Sequence, residues 1–392
     1  MTKKLFWEDP YETKFTAKVT LIDEFGFILD KTLFYPESGN QLNDRGYINI
    51  GDFKFKIEQV SKDGDDIIHH ISTDLKDKIK VGDKVEGEID WQYRYGLMKA
   101  HSSQHIFSAV LKNSYDIDTE RAILNHEEVF LQTSQKLDYN ELKEVLYEVN
   151  SICTSKNYRI NAKIVPRDKA QEIADKIRSQ IPNEPEVRLM EIENLDLVCC
   201  GGTHVQNTTE IGILFIYDFK KGKEIKYYVG NKAMLNYSNI NINLINLANS
   251  LNIPILKIRE IVKKRLKLLK NVQSLQMDLS LKLLGEISKS PLKVINKFSL
   301  FYVEIDIDIK ILNKSLDMFP PDSLIIVNMG NNKIRILSLS EELNANKLIQ
   351  KLIQNYNGKG GGNPKSAQAV LNRMPEDLLV EIESLLKNEW LI

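Results

Sequence analysis

Two short motifs place histidine and cysteine side chains at a spacing that suits a metal ion. The first is HSSQH, which contains His101 and His105, and the second is CGGTH, which runs from Cys200 to His204. The chain has only six histidines and three cysteines, so these motifs hold four of its scarcest reactive side chains. Imidazole and thiolate are the ligands that zinc prefers, and two from each motif would complete a tetrahedral set.

The flanks of each motif indicate how its pair of ligands would converge. Apolar residues recur near the helical period through LMKAHSSQHIFSAVL, which predicts a helix. Side chains four apart on a helix lie on one face, so His101 and His105 can bind one ion. Gly201 and Gly202 interrupt any helical pattern and allow a tight turn that brings the ends of CGGTH together. A structural metal that only joins helix to turn is the alternative.

Composition limits the classes of protein that this chain can belong to. Its 392 residues predict two or three domains, and 42% hydrophobic with 27% charged residues is typical of a soluble protein. No apolar run reaches the length of a membrane span, and no signal segment opens the chain. Three cysteines, two of them adjacent, exclude a disulfide framework and suit a reducing compartment. We therefore expect a cytoplasmic protein with no membrane partner.

Four motifs together resemble a known family. HSSQHIFSAV followed by VCCGGTHV is similar to the editing domain of alanyl-tRNA synthetases and of their free-standing relatives, the AlaX proteins. The segment Leu29 to Gly46 resembles the family pattern T-x-F-Y-P-E-G-G-G-Q-x-x-D-x-G, with Ser38 and Asn40 replacing two glycines. GKGGGNPKSAQA near the end resembles the synthetase's C-terminal domain, with Asn363 replacing a family-typical histidine. The order of the motifs resembles the long form of AlaX, for which we expect no aminoacylation domain.

The resemblance implies a zinc-dependent hydrolase that removes serine, or glycine, from mischarged tRNA(Ala). It assigns His101, His105, Cys200 and His204 to the metal, with His204 as either a ligand or a general base. It also assigns the contact with the serine hydroxyl to Thr32 and places Gln41 near the substrate. Without the resemblance, we would interpret Thr32 as an ordinary residue of a β-strand. The competing class is a binding module for tRNA or a synthetase, with a structural zinc and no deacylase activity.

The predicted fold class is α+β with several domains. Alternating strands and turns predict a small β-barrel over residues 1–90. Mixed helices and strands predict the zinc-containing editing domain over 91–231, with helices at 94–112, 139–155 and 167–181. A strand hairpin with a lysine-glycine turn is expected near its end.

Two helices and a compact domain follow the editing domain in this prediction. The helices, over 232–290, would form a helical hairpin or coiled-coil arm, because apolar residues from Ile258 to Leu279 alternate at spacings of three and four. An amphipathic helix packed on its own chain is the alternative. Residues 291–392 predict a C-terminal α/β domain with helices at 344–356 and 376–388.

Basic residues are concentrated in the second half of the chain. Residues 257–270 contain seven basic side chains and one acid, and residues 343–375 contain no acid. Such runs are typical of phosphate-binding surfaces, although solvated helix faces are the ordinary alternative. With the resemblance, they predict tRNA binding by this half, and the heptad-like seam predicts a homodimer through it.

Overall fold

The computed structural model describes residues 1–22, 26–71, 78–304 and 307–390. The chain divides into two compact units, Met1–Leu251 and Asn252–Ile392, each with its own apolar core. Both units combine helices with sheets, so the predicted α+β multidomain organisation is confirmed. Within the described ranges, no helix has the length and apolar character needed to cross a membrane.

The first part of the first unit is almost entirely β-structure. Seven strands form an antiparallel sheet in the order β6-β5-β9-β2-β3-β8-β7, and a short parallel pair, β1 and β4, lies beside it. Alternating buried and exposed residues along these strands build one apolar core. Closure into a barrel stays a prediction. The strands are β1 Lys3–Lys4, β2 Lys14–Ile22, β3 Gly26–Leu29, β4 Lys31–Thr32, β5 Gly46–Ile50, β6 Phe53–Ile57, β7 Gln59–Asp63, β8 Asp66–His70 and β9 Lys84–Ile89.

The remainder of the first unit surrounds one long helix. Two antiparallel sheets pack around this helix, with strand orders β10-β11-β16-β15 and β12-β13-β14. Their strands are β10 Thr119–Asn125, β11 Glu128–Thr133, β12 Ile160–Pro166, β13 Glu186–Ile192, β14 Asp196–Cys199, β15 Phe215–Lys220 and β16 Glu224–Tyr228. The helices are α1 Trp91–Tyr115, α2 Tyr139–Ser151, α3 Arg167–Gln171 and α4 Gly230–Leu251.

Helix α1 is the element that carries the HSSQH motif. The Asp90 carboxylate caps its first turn by accepting a hydrogen bond from the Tyr93 amide, and Asp116 ends it in a left-handed conformation. Sixteen of its 25 residues are buried, on every face, because sheets and loops cover the helix all round. The histidines are therefore held in the interior rather than on the surface.

Two local predictions for this unit had different outcomes. The lysine-glycine turn is confirmed, because Lys221 and Gly222 both adopt positive φ between β15 and β16. The helix predicted over 167–181 was too long, since α3 ends at Gln171 and only one further turn follows. Arg178 already lies in a bend outside any helix, where its guanidinium pairs with Asp196 and its amide donates to the Leu197 carbonyl oxygen of the second sheet.

The second unit contains a six-stranded sheet and four helices among its described residues. The strand order is β17-β18-β19-β20-β22-β21, and only β18 and β19 run parallel. Its strands are β17 Lys293–Ile295, β18 Phe298–Val303, β19 Ser323–Asn328, β20 Lys333–Ser338, β21 Gly358–Gly362 and β22 Ser366–Leu371. Its helices are α5 Ile258–Ile287, α6 Ile309–Ser315, α7 Ala345–Tyr356 and α8 Leu378–Trp390. The division between units falls between α4 and α5, and their pairing as an arm stays a prediction.

Candidate metal centre

The four residues singled out from the two motifs meet in the first unit. The donor atoms of His101, His105, Cys200 and His204 all lie within 4.8 Å of one another. The Cys200 sulfur is 3.4 Å from His101 Nε2 and 3.3 Å from His204 Nε2. The three histidines are almost completely buried, whereas Cys200 is partly exposed. The folded chain thus forms one cluster of three imidazoles and a thiol that could hold a metal ion.

The cluster fits zinc by donor chemistry and by spacing. Bonds of about 2.0–2.3 Å at tetrahedral angles place neighbouring donors about 3.5 Å apart. The two sulfur-to-nitrogen distances are close to that value. Both ring nitrogens of His105 are buried without a hydrogen-bond partner among the described residues. Buried polar atoms rarely remain unpaired, and a metal ion bound to His105 would provide a partner for one of these two nitrogens.

Burial keeps the imidazoles in the form that binds metals. Desolvation lowers the pKa of His101 to about 3. Burial, followed by the neighbouring imidazoles, also lowers the pKa of His105 and of His204. Burial raises the pKa of the Cys200 thiol, an effect opposed by the Gly202 amide and by Arg188. Neutral imidazole has a free lone pair, so the three histidines need lose no proton to coordinate a cation.

Gln41 fixes the orientation of the first histidine. Its Oε1 atom lies 2.8 Å from His101 Nδ1 and also accepts a hydrogen bond from the Thr203 amide. Its Nε2 atom donates to the Thr203 hydroxyl. Since an amide oxygen only accepts, His101 carries its proton on Nδ1 and turns Nε2 towards the cluster. Gln41 is fully buried, so the structure gives it a positioning role beside the metal site.

Ser102 similarly orients His204, a role that residue type and spacing alone do not reveal. Its hydroxyl oxygen is 3.2 Å from His204 Nδ1 and accepts a hydrogen bond from the Val205 amide. This contact leaves His204 Nε2 to face the Cys200 sulfur. Ser102 lies inside the HSSQH motif, but only the packing of α1 against the CGGTH loop identifies its partner.

The glycines of CGGTH allow the loop to lie against α1. A Cβ atom at Gly202 would come within 2.2 Å of His101 Cε1, which is closer than two non-bonded carbon atoms approach. A Cβ atom at Gly201 would meet nothing nearer than a Trp7 ring carbon at 3.7 Å. Arg188 Nη1 donates to the carbonyl oxygens of Cys200 and Gly202. The loop is therefore fastened to β13 while its second glycine accommodates the imidazole.

The glycine motif tolerates both of its departures from the family pattern. Gly39 and Asn40 form the middle of a tight turn with positive φ at both positions, a conformation that asparagine adopts readily. Ser38 is exposed, and its backbone pairs with that of Gln41 across the turn. Since Ser38 does not adopt positive φ, glycine is not required there. The turn therefore closes and directs Gln41 into the cluster.

A buried ion pair joins the glycine motif to α1. The Arg94 guanidinium donates to both oxygens of Asp44, and the two side chains are completely buried. Arg94 also donates to the carbonyl oxygens of Leu33 and Pro10. Breaking such a pair leaves an uncompensated buried charge, which is strongly destabilising. The pair holds the segment that carries Gln41 in register with the helix that carries the histidines.

Thr32 lies in an internal hydrogen-bond network. Its hydroxyl is 2.8 Å from His69 Nε2 and accepts a hydrogen bond from the Phe34 amide. His69 Nδ1 lies 3.3 Å from the Phe27 carbonyl oxygen, so the Thr32 hydroxyl donates to Nε2. Burial lowers the pKa of His69 to about 4, and the imidazole stacks on Phe27. Among the described residues, these hydrogen bonds do not extend to the metal cluster, and the contact of Thr32 with substrate stays a prediction.

Cys199, the first cysteine of the adjacent pair, faces away from the cluster. Cys199 ends β14 and packs against the small apolar cluster around Val187 and Leu189. Cys200 packs on the opposite side, against the core that surrounds α1. Adjacent residues at a strand end point to opposite faces, so only Cys200 can reach the histidines.

Three family models match separate parts of the chain. Residues 5–93 match tRNA synthetases class II (A). Residues 187–226 match the threonyl and alanyl tRNA synthetase second additional domain, which includes the CGGTH loop. Residues 306–388 match the DHHA1 domain.

The chain is 29% identical to alanyl-tRNA editing protein AlaX-L of Pyrococcus horikoshii, and the match covers 98% of each chain. The predicted resemblance to the AlaX family is confirmed. The chain is also 28% identical to the alanine–tRNA ligase of Sulfurisphaera tokodaii over 99% of its own length. That match covers 44% of the ligase, so the chain spans less than half of that enzyme. The C-Ala domain of Aquifex aeolicus alanyl-tRNA synthetase aligns at 22% identity, covering 24% of this chain and 94% of that one, with a TM-score of 0.20.

Proposed function

We propose that this chain is a zinc-dependent hydrolase that deacylates Ser-tRNA(Ala), with Gly-tRNA(Ala) as a second substrate. The observation that carries the proposal is the buried cluster of His101, His105, Cys200 and His204, whose donor distances suit a tetrahedral ion. The match to an alanyl-tRNA editing protein over almost the whole of both chains supports the same reaction. Removing serine from tRNA(Ala) would prevent the incorporation of serine into proteins at alanine codons.

The chemistry divides between the ion and the protein. A bound zinc would supply Lewis-acid polarisation of the ester carbonyl and activation of water. Gln41 and Ser102 orient His101 and His204, so that both Nε2 atoms face the Cys200 sulfur, where an ion would be held. If all four residues bind, no position stays open, and we propose that His204 is the ligand that exchanges or acts as general base. The alternative is that the ion positions the RNA end without activating water.

Selectivity for serine over alanine requires a polar contact with one hydroxyl group. A site built to hydrogen-bond that hydroxyl rejects alanine, because the buried partner would then be left unpaired. We propose Thr32 for this contact, through the lone pair that its bonds to His69 and Phe34 leave free. The competing interpretation makes Thr32 a buried strand residue whose hydroxyl serves only the internal network.

We also propose that the second half of the chain binds tRNA and forms a homodimer. The seven basic side chains between residues 257 and 270 are exposed, or nearly so, and none pairs with an acid among the described residues. Large apolar side chains on the same helix, including Leu268, Val272, Leu275 and Leu279, are also exposed. Unpaired cations can bind the phosphates of tRNA, and the exposed apolar side chains can pack against a second copy of this chain. Light scattering at micromolar concentration tests the dimer.

The competing function is a binding module with a structural zinc. One assay separates the two functions: release of labelled serine from Ser-tRNA(Ala) by the full chain, before and after treatment with a chelator. If the chain is a hydrolase, we expect it to release serine, the chelator to abolish this release and added zinc to restore it. Ala-tRNA(Ala) should not be hydrolysed. Binding of the tRNA without any release of serine would favour the module.

Two variants provide the matched control for this assay. His105→Ala removes a cluster residue, whereas His126→Ala removes a histidine that lies outside the cluster and stacks on Tyr93. We expect elemental analysis to find one zinc per chain in the unaltered protein and in His126→Ala, and much less in His105→Ala. Equal zinc in all three proteins would contradict the assignment of the ligands.

A further inference from the structure

A tryptophan side chain lies at the exposed side of the metal centre. The Trp7 indole N–H donates to the Gly201 carbonyl oxygen at 2.7 Å. Gly201 is the exposed residue of the CGGTH loop, whereas Gly202, Thr203 and His204 are buried. A molecule that approaches the cluster past this loop would therefore pass the ring of Trp7.

Two cationic side chains flank the same ring. Lys4 Nζ lies over the ring, 4.4 Å from its centroid, and the Arg188 guanidinium carbon lies over it at 5.9 Å. A base can therefore stack on the face that Lys4 covers only after the Lys4 side chain moves aside. Arg188 is held in place by its bonds to the Cys200 and Gly202 carbonyl oxygens, while Lys4 is half-buried. Trp7 itself is half-buried, packed along one side against the core of the first sheet.

We propose that Trp7 stacks with the 3′-terminal base of an RNA whose ester lies at the metal centre, and that Lys4 binds the adjoining phosphate. This inference rests on the proposed function, because it assumes that the acyl group enters the cluster. The combination of an aromatic face with neighbouring cations is the arrangement that proteins use for single-stranded nucleic acid. The ribose that carries the ester also carries a base, so a base must lie close to the cluster whenever the ester does.

The geometry favours a nucleotide over a free amino acid ester as the ligand of this surface. A serine or glycine ester has no aromatic ring to cover the indole and no phosphate to pair with a lysine. Stacking against an aromatic side chain tolerates any base, so Trp7 would supply affinity for the RNA end rather than a choice between tRNAs. Recognition of a particular tRNA is left to other parts of the chain.

Binding of a short RNA tests the proposal without any hydrolysis. The probe is the trinucleotide CCA carrying a 5′ fluorophore, and the measurement is its fluorescence anisotropy with the full-length, zinc-loaded protein. We expect Trp7→Leu to weaken binding about tenfold or more, whereas Trp7→Phe keeps a stacking ring and stays within about threefold. Lys4→Gln should weaken binding and reduce the salt dependence by about one counterion, whereas Lys3→Gln, which removes a lysine that pairs with Glu8, should change neither.

Two results would overturn the proposal. Unchanged binding in Trp7→Leu would show that the ring makes no contact with RNA. Equal loss in Trp7→Phe and Trp7→Leu would show that the indole N–H acts only by holding Gly201, and a fall in zinc content in both would agree. Failure of the proposed deacylase activity can be distinguished from failure of the stacking proposal. The first would appear as absent serine release by the unaltered protein, whereas the second is measured by CCA binding in the Trp7 variants.

Discussion

Gln41 and His101 are 60 residues apart in the chain, and in the folded protein Gln41 Oε1 lies 2.8 Å from His101 Nδ1. The glycine motif, which contains Gln41, therefore orients a histidine of the HSSQH motif. The contact sets which nitrogen of His101 carries the proton, and hence which one is available to a metal ion. It connects the β-rich part of the first unit to the helix that carries the histidines.

Replacing Gln41 should weaken metal binding without removing a ligand. In Gln41→Leu, His101 loses the acceptor for its Nδ1 proton and Thr203 loses two hydrogen bonds. We expect zinc affinity to fall by about 10- to 100-fold, as measured by competition with a chelator. Ser38→Ala, in the exposed part of the same turn, is the control and should bind zinc normally. Equal affinity in Gln41→Leu would show that the contact does not orient the ligand.

Two neighbouring glycines should respond very differently to the addition of one methyl group. Gly202→Ala places a Cβ atom on the His101 ring, at 2.2 Å from Cε1, so loop and helix must separate. Gly201→Ala meets only ordinary contact distances. We expect Gly202→Ala to lose zinc and serine release, and Gly201→Ala to keep both, as measured by elemental analysis and the deacylation assay. Full zinc occupancy in Gly202→Ala would show that the loop is not packed against His101.

Thr32→Val tests the proposed selectivity. If the hydroxyl contacts the substrate, its loss should raise Ala-tRNA hydrolysis relative to Ser-tRNA, and Thr32→Ser should retain the original preference. The same change leaves His69 Nε2 without its donor, which should lower the free energy of unfolding by about 1–3 kcal/mol. Chemical denaturation measures that cost separately from the two hydrolysis rates. A lower stability with an unchanged rate ratio would assign Thr32 to the internal network alone.

His69 should make the first unit sensitive to acid. Its pKa in the folded chain is about 4, against an ordinary value of 6.5, because burial disfavours the charged ring. Between these values the unfolded chain binds a proton that the folded chain does not. The stability present above about pH 6.5 is therefore lost as the pH falls towards 4, by about 3 kcal/mol in total. Urea unfolding across this pH range should show a shallower loss in His69→Gln, and an identical slope would contradict the assignment.

The exposed cations of helix α5 should determine much of the affinity for tRNA. Changing Lys263, Lys264 and Arg265 together to glutamine removes up to three phosphate contacts, and each should reduce the salt slope of binding by about one. The control changes Lys143 and Lys169 to glutamine, since both already pair with acids. Filter binding of tRNA(Ala) at several salt concentrations measures both slopes. Equal slopes in the two variants would exclude this helix as an RNA surface.

Much of the candidate site could be predicted from residue type and spacing. The helical period around HSSQH and the two glycines of CGGTH bring each pair of ligands together through local geometry alone, and the structure has both features. The lysine-glycine turn and most helix positions follow from local preferences in the same way. The limit of such reasoning is visible in α3, where tertiary pairing of Arg178 with Asp196 draws the chain out of the predicted helix.

The sequence by itself determined which four side chains could bind a metal and which family they resemble. Only the tertiary structure decided how those side chains are oriented, because the partners that orient them lie far away in the chain. Gln41 reaches His101, Ser102 reaches His204, and Trp7 reaches Gly201 through the packing of sheet, helix and loop. The burial that keeps the imidazoles neutral likewise results from packing rather than from residue order.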